Sequence, residues 1–176
     1  MDTPEVFPPP RSPYIPAAER QSFDVKLTAS CHCGRVKYDL DTDEPLNTKF
    51  CHCRDCQILH GMALAKTSLL SCFLESSPYM HGTGLLHVTV IDQSTGASFQ
   101  HAAIFAKESL AFTKESVPFI SCYSSSTGRT DYALPAKLRC SYCGTLILDE
   151  GRKMILLFPS LIQFETEEAR KKFQVR

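Results

Sequence analysis

The sequence predicts a mainly β domain of short strands and long connections, with one short helix near its C-terminal end. Three observations carry that reading. Apolar residues alternate with polar ones at Phe23, Val25 and Leu27 and again at Val36, Tyr38 and Leu40, the period of half-buried strands. Further strand-like runs recur at 47–51, 99–105, 117–123, 136–140, 145–149 and 153–158, with turn signals at Gly128 and Gly151. Helical end chemistry occurs at 166–173 alone. There Thr166 is placed to cap, Glu167 and Glu168 occupy the positive end, and Arg170, Lys171 and Lys172 the negative end.

Ahead of the first strand, six of the eleven prolines (Pro4, Pro8, Pro9, Pro10, Pro13 and Pro16) fall in the first sixteen residues. Proline donates no backbone hydrogen bond, so residues 1–21 read as an extended or disordered leader to a domain spanning 22–176.

At 176 residues the domain can bury a core without covalent staples. The 19 basic and 19 acidic side chains cancel, which argues against a nucleic-acid partner or a polybasic membrane anchor. No apolar run approaches the roughly 18–20 residues of a bilayer span. The first residues lack the basic start and apolar stretch of a secretory signal, so a cytoplasmic setting is expected. In that reducing compartment clustered cysteines bind metal or do chemistry more often than they pair as disulfides.

The cysteines are clustered. Seven of nine lie in three patches: CHCG at 31–34, CHCRDC at 51–56 and CSYCG at 140–144. Zinc takes four tetrahedral ligands with sulfur at about 2.3 Å, and two close cysteines from each of two segments supply them with little strain. Cys31 and Cys33 with Cys140 and Cys143 make such a closed set, and Gly34 and Gly144 relieve the backbone at each turn. Cys51, Cys53 and Cys56 remain as three thiols, the composition of an open zinc site whose last position is left to water or substrate. His52 and His60 are the nearest further donors and read better as outer imidazoles than as ligands. Cys72 and Cys122 have no partner at metal spacing and read as packing residues.

The order C-x-C-G, C-x-C-x-x-C, C-x-x-C-G resembles the glutathione-dependent formaldehyde-activating enzyme family, which includes the centromere protein V-like proteins. The likeness extends to SCHCGRVKYDL, KFCHCRDCQILHG, GASFQHAAIFAKESLAF, FISCYSSSTG and LRCSYCGTLILDEGRKMILLFP, and is strongest to fungal-type members. The resemblance implies an Mss4-like zinc-bound β fold and two zinc ions per chain. One is structural, on Cys31, Cys33, Cys140 and Cys143; the second, labile, is on Cys51, Cys53 and Cys56, which would be the catalytic centre. The implied activity is that of a carbon–sulfur lyase: reversible addition of glutathione to formaldehyde, giving S-(hydroxymethyl)glutathione.

The residues suit that chemistry. A thiol meeting a three-thiolate zinc is held as the nucleophilic thiolate at neutral pH. The net charge of about −1 at such a centre favours activating the thiol over polarising the carbonyl. His52, His60 or water are the available proton donors. YSSSTG at 123–128 offers hydroxyls to a ligand's carboxylates, and reads equally well as a polar turn. Two other functions fit a zinc-bearing domain: a non-catalytic binding module, and a thiol or metal sensor built on Cys51, Cys53 and Cys56.

The sequence also departs from the family. Residues 62–96 resemble none of it, and Gly61 and Ala97 would join into an ordinary family sequence without them, as after translation of a retained intron. The family's further aromatic-rich segment beyond Phe173 is missing, which implies a shortened domain edge. Arg139 precedes Cys140 where an aromatic residue is common.

Overall fold

The structure is a computed structural model that describes residues 6–53, 55, 56 and 100–175. The 62–96 segment, Cys72 and His60 lie outside the described residues. The chain divides into two units, Met1–Phe50 with His101–Arg176, and Cys51–Gln100.

The described residues form two antiparallel sheets. One has four strands in the order β10-β1-β2-β5: β1 (Leu27–Ser30), β2 (Lys37–Leu40), β5 (Leu110–Phe112) and β10 (Ile162–Gln163). The other has six in the order β3-β4-β9-β8-β7-β6. These are β3 (Asn47–Cys51), β4 (Gln100–Ala106), β6 (Ile120–Ser124), β7 (Ala136–Cys140), β8 (Leu146–Glu150) and β9 (Met154–Leu157). The mainly β fold class read from the sequence is the one observed.

Register explains the core. In the small sheet Leu27 stands opposite Leu40 and Leu40 opposite Leu110, while Ala29, Tyr38 and Phe112 form the next row. In the large sheet Cys122, Leu138, Leu148, Leu157 and Ala103 form one continuous cross-strand row. All eleven side chains are buried in a single apolar cluster. Each fully buried leucine contributes about 1.5–3 kcal/mol, so these rows set the pairing.

Local chemistry adjusts the elements read from the sequence. The first strand begins at Leu27, not Phe23: Val25 is exposed, and Phe23 lies under the Arg20 guanidinium at 5.1 Å. Residues 114–119 are a 3-10 helix, not the start of β6. Thr113 and Ser116 bond to each other there through hydroxyls at 2.7 Å, and Pro118 brings no donor for a strand ladder. Strands β5 and β10, of three and two residues, are too short to show a period. The α-helix α1 (Glu167–Lys171) starts where expected, with Thr166 accepting the Ala169 N–H at 3.1 Å. Just beyond it Phe173 is buried against Phe164 and Phe105.

The leader differs most from expectation. From Phe7 onward it packs on the large unit instead of trailing as a disordered segment, with Pro9, Pro13 and Tyr14 buried. Aromatic and main-chain partners outweigh the proline content. Tyr14 stacks on Phe112, and the Pro13 carbonyl accepts the Phe112 N–H at 3.0 Å.

Candidate metal centres

Two tight turns build the first centre. In one, Cys31 and Cys33 follow β1, and the chain reverses through Gly34 at φ +74°, with the Gly34 N–H bonded to the Cys31 carbonyl at 3.0 Å. In the other, Cys140 ends β7, and Gly144 at φ +75° donates its N–H to the Cys140 carbonyl at 2.9 Å. Both glycines occupy the left-handed region that a side chain would strain. The two turns are constructed alike, which is why the sequence repeats cysteine pairs with a trailing glycine.

The Sγ atoms of Cys31, Cys33, Cys140 and Cys143 all lie within 4.8 Å of one another. Cys31 and Cys33 are 3.5 Å apart, and Cys33 and Cys140 are 3.8 Å apart. A tetrahedron with zinc–sulfur bonds of about 2.3 Å has sulfur–sulfur edges of about 3.8 Å, so the donor set fits such an ion. It does not fit a disulfide, whose sulfurs are bonded at about 2 Å.

The thiols do not titrate alike. Burial raises Cys143, but hydrogen bonds from the Thr145 hydroxyl and N–H and from Cys33 bring it down to about 5. The Arg35 N–H pulls Cys33 down, yet burial and its Cys31, Cys143 and Cys140 neighbours push it up to about 12. Four negative charges at this spacing repel, and a divalent cation is what lets all four sulfurs be thiolates together.

Three surrounding residues carry no signal at metal spacing and were missed in the sequence. Thr145 bonds the Cys143 sulfur through its hydroxyl at 3.1 Å, and the same oxygen accepts the His32 N–H at 3.3 Å. Val36 donates its N–H to the Cys31 sulfur at 3.3 Å. Arg35 lays its guanidinium over the Tyr142 ring at 4.2 Å and the Phe119 ring at 5.0 Å, joining the two turns from outside. Arg139, before Cys140, lies in β7 opposite Ser121.

The second centre is Cys51, Cys53 and Cys56, whose sulfurs also lie mutually within 4.8 Å. Cys51 ends β3, Cys53 is exposed and Cys56 is buried. The Cys53 sulfur accepts the Cys56 N–H at 3.4 Å, and Asp55 and Cys56 are helical. The Cys56 and Cys51 sulfurs are 3.5 Å apart. Among the described residues no fourth donor joins this group; His52, exposed on the same stretch, is not part of it.

The remaining candidates fall elsewhere. Cys122 is buried in β6 and donates its thiol to the Thr130 carbonyl at 3.1 Å, a packing role. The YSSSTG stretch closes a turn, with the Gly128 N–H on the Ser124 carbonyl at 2.9 Å and the Ser124 side chain fully buried. Among the described residues no helix is long and apolar enough to cross a membrane.

Comparison with known proteins gives three findings. No curated protein matches the chain. A crystal structure of a Rhodobacter sphaeroides protein is similar to it at TM-score 0.48 and 15% identity, over 84% of this chain and 96% of that one. The family model described as glutathione-dependent formaldehyde-activating enzyme matches residues 26–77, a span that holds five of the seven clustered cysteines and runs into the 62–96 segment.

Proposed function

We propose that this chain is a zinc protein of the glutathione-dependent formaldehyde-activating family, and that it adds a small thiol to an aldehyde at Cys51, Cys53 and Cys56. Glutathione and formaldehyde are the substrates the family's name supplies. The observation that carries the reading is the three-sulfur group itself, convergent within 4.8 Å and graded from buried Cys56 to exposed Cys53. A closed four-sulfur centre beside it in sequence, built for stability, leaves the three-sulfur one for chemistry.

A zinc ion held by these three cysteines supplies thiol activation when bound, by lowering the pKa of a thiol that reaches it. The chain's own part is positional. β3 fixes Cys51, and the Cys56 N–H bonded to the Cys53 sulfur holds those two residues together, so the sulfurs converge without the fourth position being filled from the described residues. The carbon–sulfur bond forms by attack of the thiolate on the aldehyde carbon. The oxygen then needs a proton, for which His52, exposed between Cys51 and Cys53, His60 and water are the candidate sources. The Cys51–Cys56 separation of 3.5 Å also favours a second reading, a thiol sensor in which a peroxide oxidises one sulfur to a sulfenic acid and the other displaces water from it to form a disulfide.

The test is adduct formation followed by NMR with isotopically labelled formaldehyde and glutathione. The wild-type chain is expected to raise the rate above the uncatalysed background and Cys53→Ser to lose that gain. A wild-type rate equal to background removes the enzyme reading and leaves the binding module and the sensor.

A further inference from the structure

The leader is bound to the domain through a site that the metal chemistry does not use. Glu150, at the end of β8, is fully buried. Its Oε1 accepts from the Lys107 ammonium at 2.8 Å and from the Tyr132 hydroxyl at 2.7 Å. Its Oε2 accepts from the Tyr14 hydroxyl at 2.7 Å. Two donors come from the body of the domain, and the third comes from the leader.

The walls around that carboxylate suit a phenol. Tyr14 stacks on Phe112 with ring centres 5.7 Å apart and meets Tyr132 edge-on at 6.1 Å, while Phe7 closes over it edge-on at 5.3 Å. Burial and the Glu150 charge push the Tyr14 hydroxyl well above its ordinary value, so it stays a donor. The main chain takes part too. β5 is an edge strand, and its Phe112 N–H is bonded to the Pro13 carbonyl. A peptide laid along a sheet edge, with side chains in flanking pockets, is a general mode of peptide recognition. Arg20 clips the far end through the Glu108 and Leu110 carbonyls, each at 2.8 Å.

We propose that residues 7–20 are a built-in ligand in a tyrosine-recognition site of this domain, and that the site also accepts the leader of a second copy of this chain. The chain joins leader to domain only through residues 21–26, of which all but Phe23 are exposed. Exchange of an identical segment between copies needs no new contacts, only a connector that opens. The proline-rich leader loses little entropy on docking, because its backbone is already restricted. A phenylalanine in place of Tyr14 would leave one oxygen of a buried carboxylate without its donor, so the site discriminates strongly for the hydroxyl.

In the wild-type chain the tethered leader competes at an effective concentration of about millimolar, so the exchange shows when the tether is shortened. Deleting Phe23 to Val25 in the full chain removes about 10 Å of reach. The shortened chain is expected to double its mass in light scattering. Adding Tyr14→Phe is expected to shift its monomer–dimer midpoint about tenfold to higher concentration. A mass equal to that of the wild type, or a dimer indifferent to Tyr14→Phe, overturns the proposal. A second measurement uses the unshortened chain and a fluorescent peptide of residues 6–22. The peptide is expected to bind full-length Tyr14→Phe about tenfold tighter than it binds wild type. Equal binding to both, or binding to neither, overturns the proposal even if the shortened chain fails to fold.

Discussion

The sulfur of Cys33, just after β1, lies 3.8 Å from that of Cys140, 107 residues further along the chain. An ion shared by these sulfurs would close a very long loop and tie the small sheet's first strand to the end of β7 in the large one. Closing a loop of that length removes a large entropy from the unfolded chain, and the metal's binding energy becomes folding energy. Cys140→Ser is accordingly expected to lose one zinc per chain and at least about 3 kcal/mol of stability, seen as a lower thermal midpoint. Cys122→Ser should keep the full metal content, because that thiol donates to the Thr130 carbonyl and belongs to neither cysteine group.

Gly34 and Gly144 test the turns separately from the ligands. A Cβ built at either meets nothing within 4 Å, so substitution costs backbone conformation alone. Gly34→Ala and Gly144→Ala should each destabilise by about 1–2 kcal/mol in denaturant titrations and still bind zinc. Loss of metal by either would mean that the turn does more than fold the chain back.

The buried Glu150 cluster predicts an asymmetry. Lys107→Met leaves a fully buried carboxylate without its cation and should cost about 3–5 kcal/mol. Tyr132→Phe removes one hydrogen bond to the same group and should cost about 1–3 kcal/mol. Urea unfolding of the two variants measures both, and equal losses would contradict the charge argument.

Metal loading should depend on pH with a definite sign. Cys33, pushed up to about 12 among its neighbours, carries a proton at neutral pH that a bound cation must displace. Zinc affinity is therefore expected to rise with pH, and zinc addition to the metal-free chain in weak buffer to release protons. Cys143, held down to about 5, contributes to that competition only as pH approaches 5. A zinc affinity flat between pH 6 and 8 would show that the cluster is already fully ionised.

Both cysteine groups were legible in the sequence because the spacing of such residues is a local property. Cys140 and Cys143 with Gly144 specify one turn wherever it lies, and Cys51, Cys53 and Cys56 are close enough in sequence to converge on their own. The helix at Thr166 was legible for the same reason. The supporting shell was not, because it depends on distant segments. Nothing near Thr145 announces that its hydroxyl meets His32, and nothing in the leader announces that Tyr14 reaches Glu150, 136 residues away. Proline content argued for disorder and was overridden by that one buried hydrogen bond with its ring contacts. Strands as short as β5 and β10 were invisible because two or three residues cannot display a period.

The central claim is that two separate sets of cysteines each hold a metal ion, one closed and one open to a thiol. Zinc content per chain, measured on purified wild type, Cys53→Ser and Cys140→Ser, tests it most directly. The account predicts two ions in the wild type and one in each variant, with the ion on Cys51, Cys53 and Cys56 the first removed by a mild chelator. A single ion in the wild type, unaltered by Cys53→Ser, would contradict it.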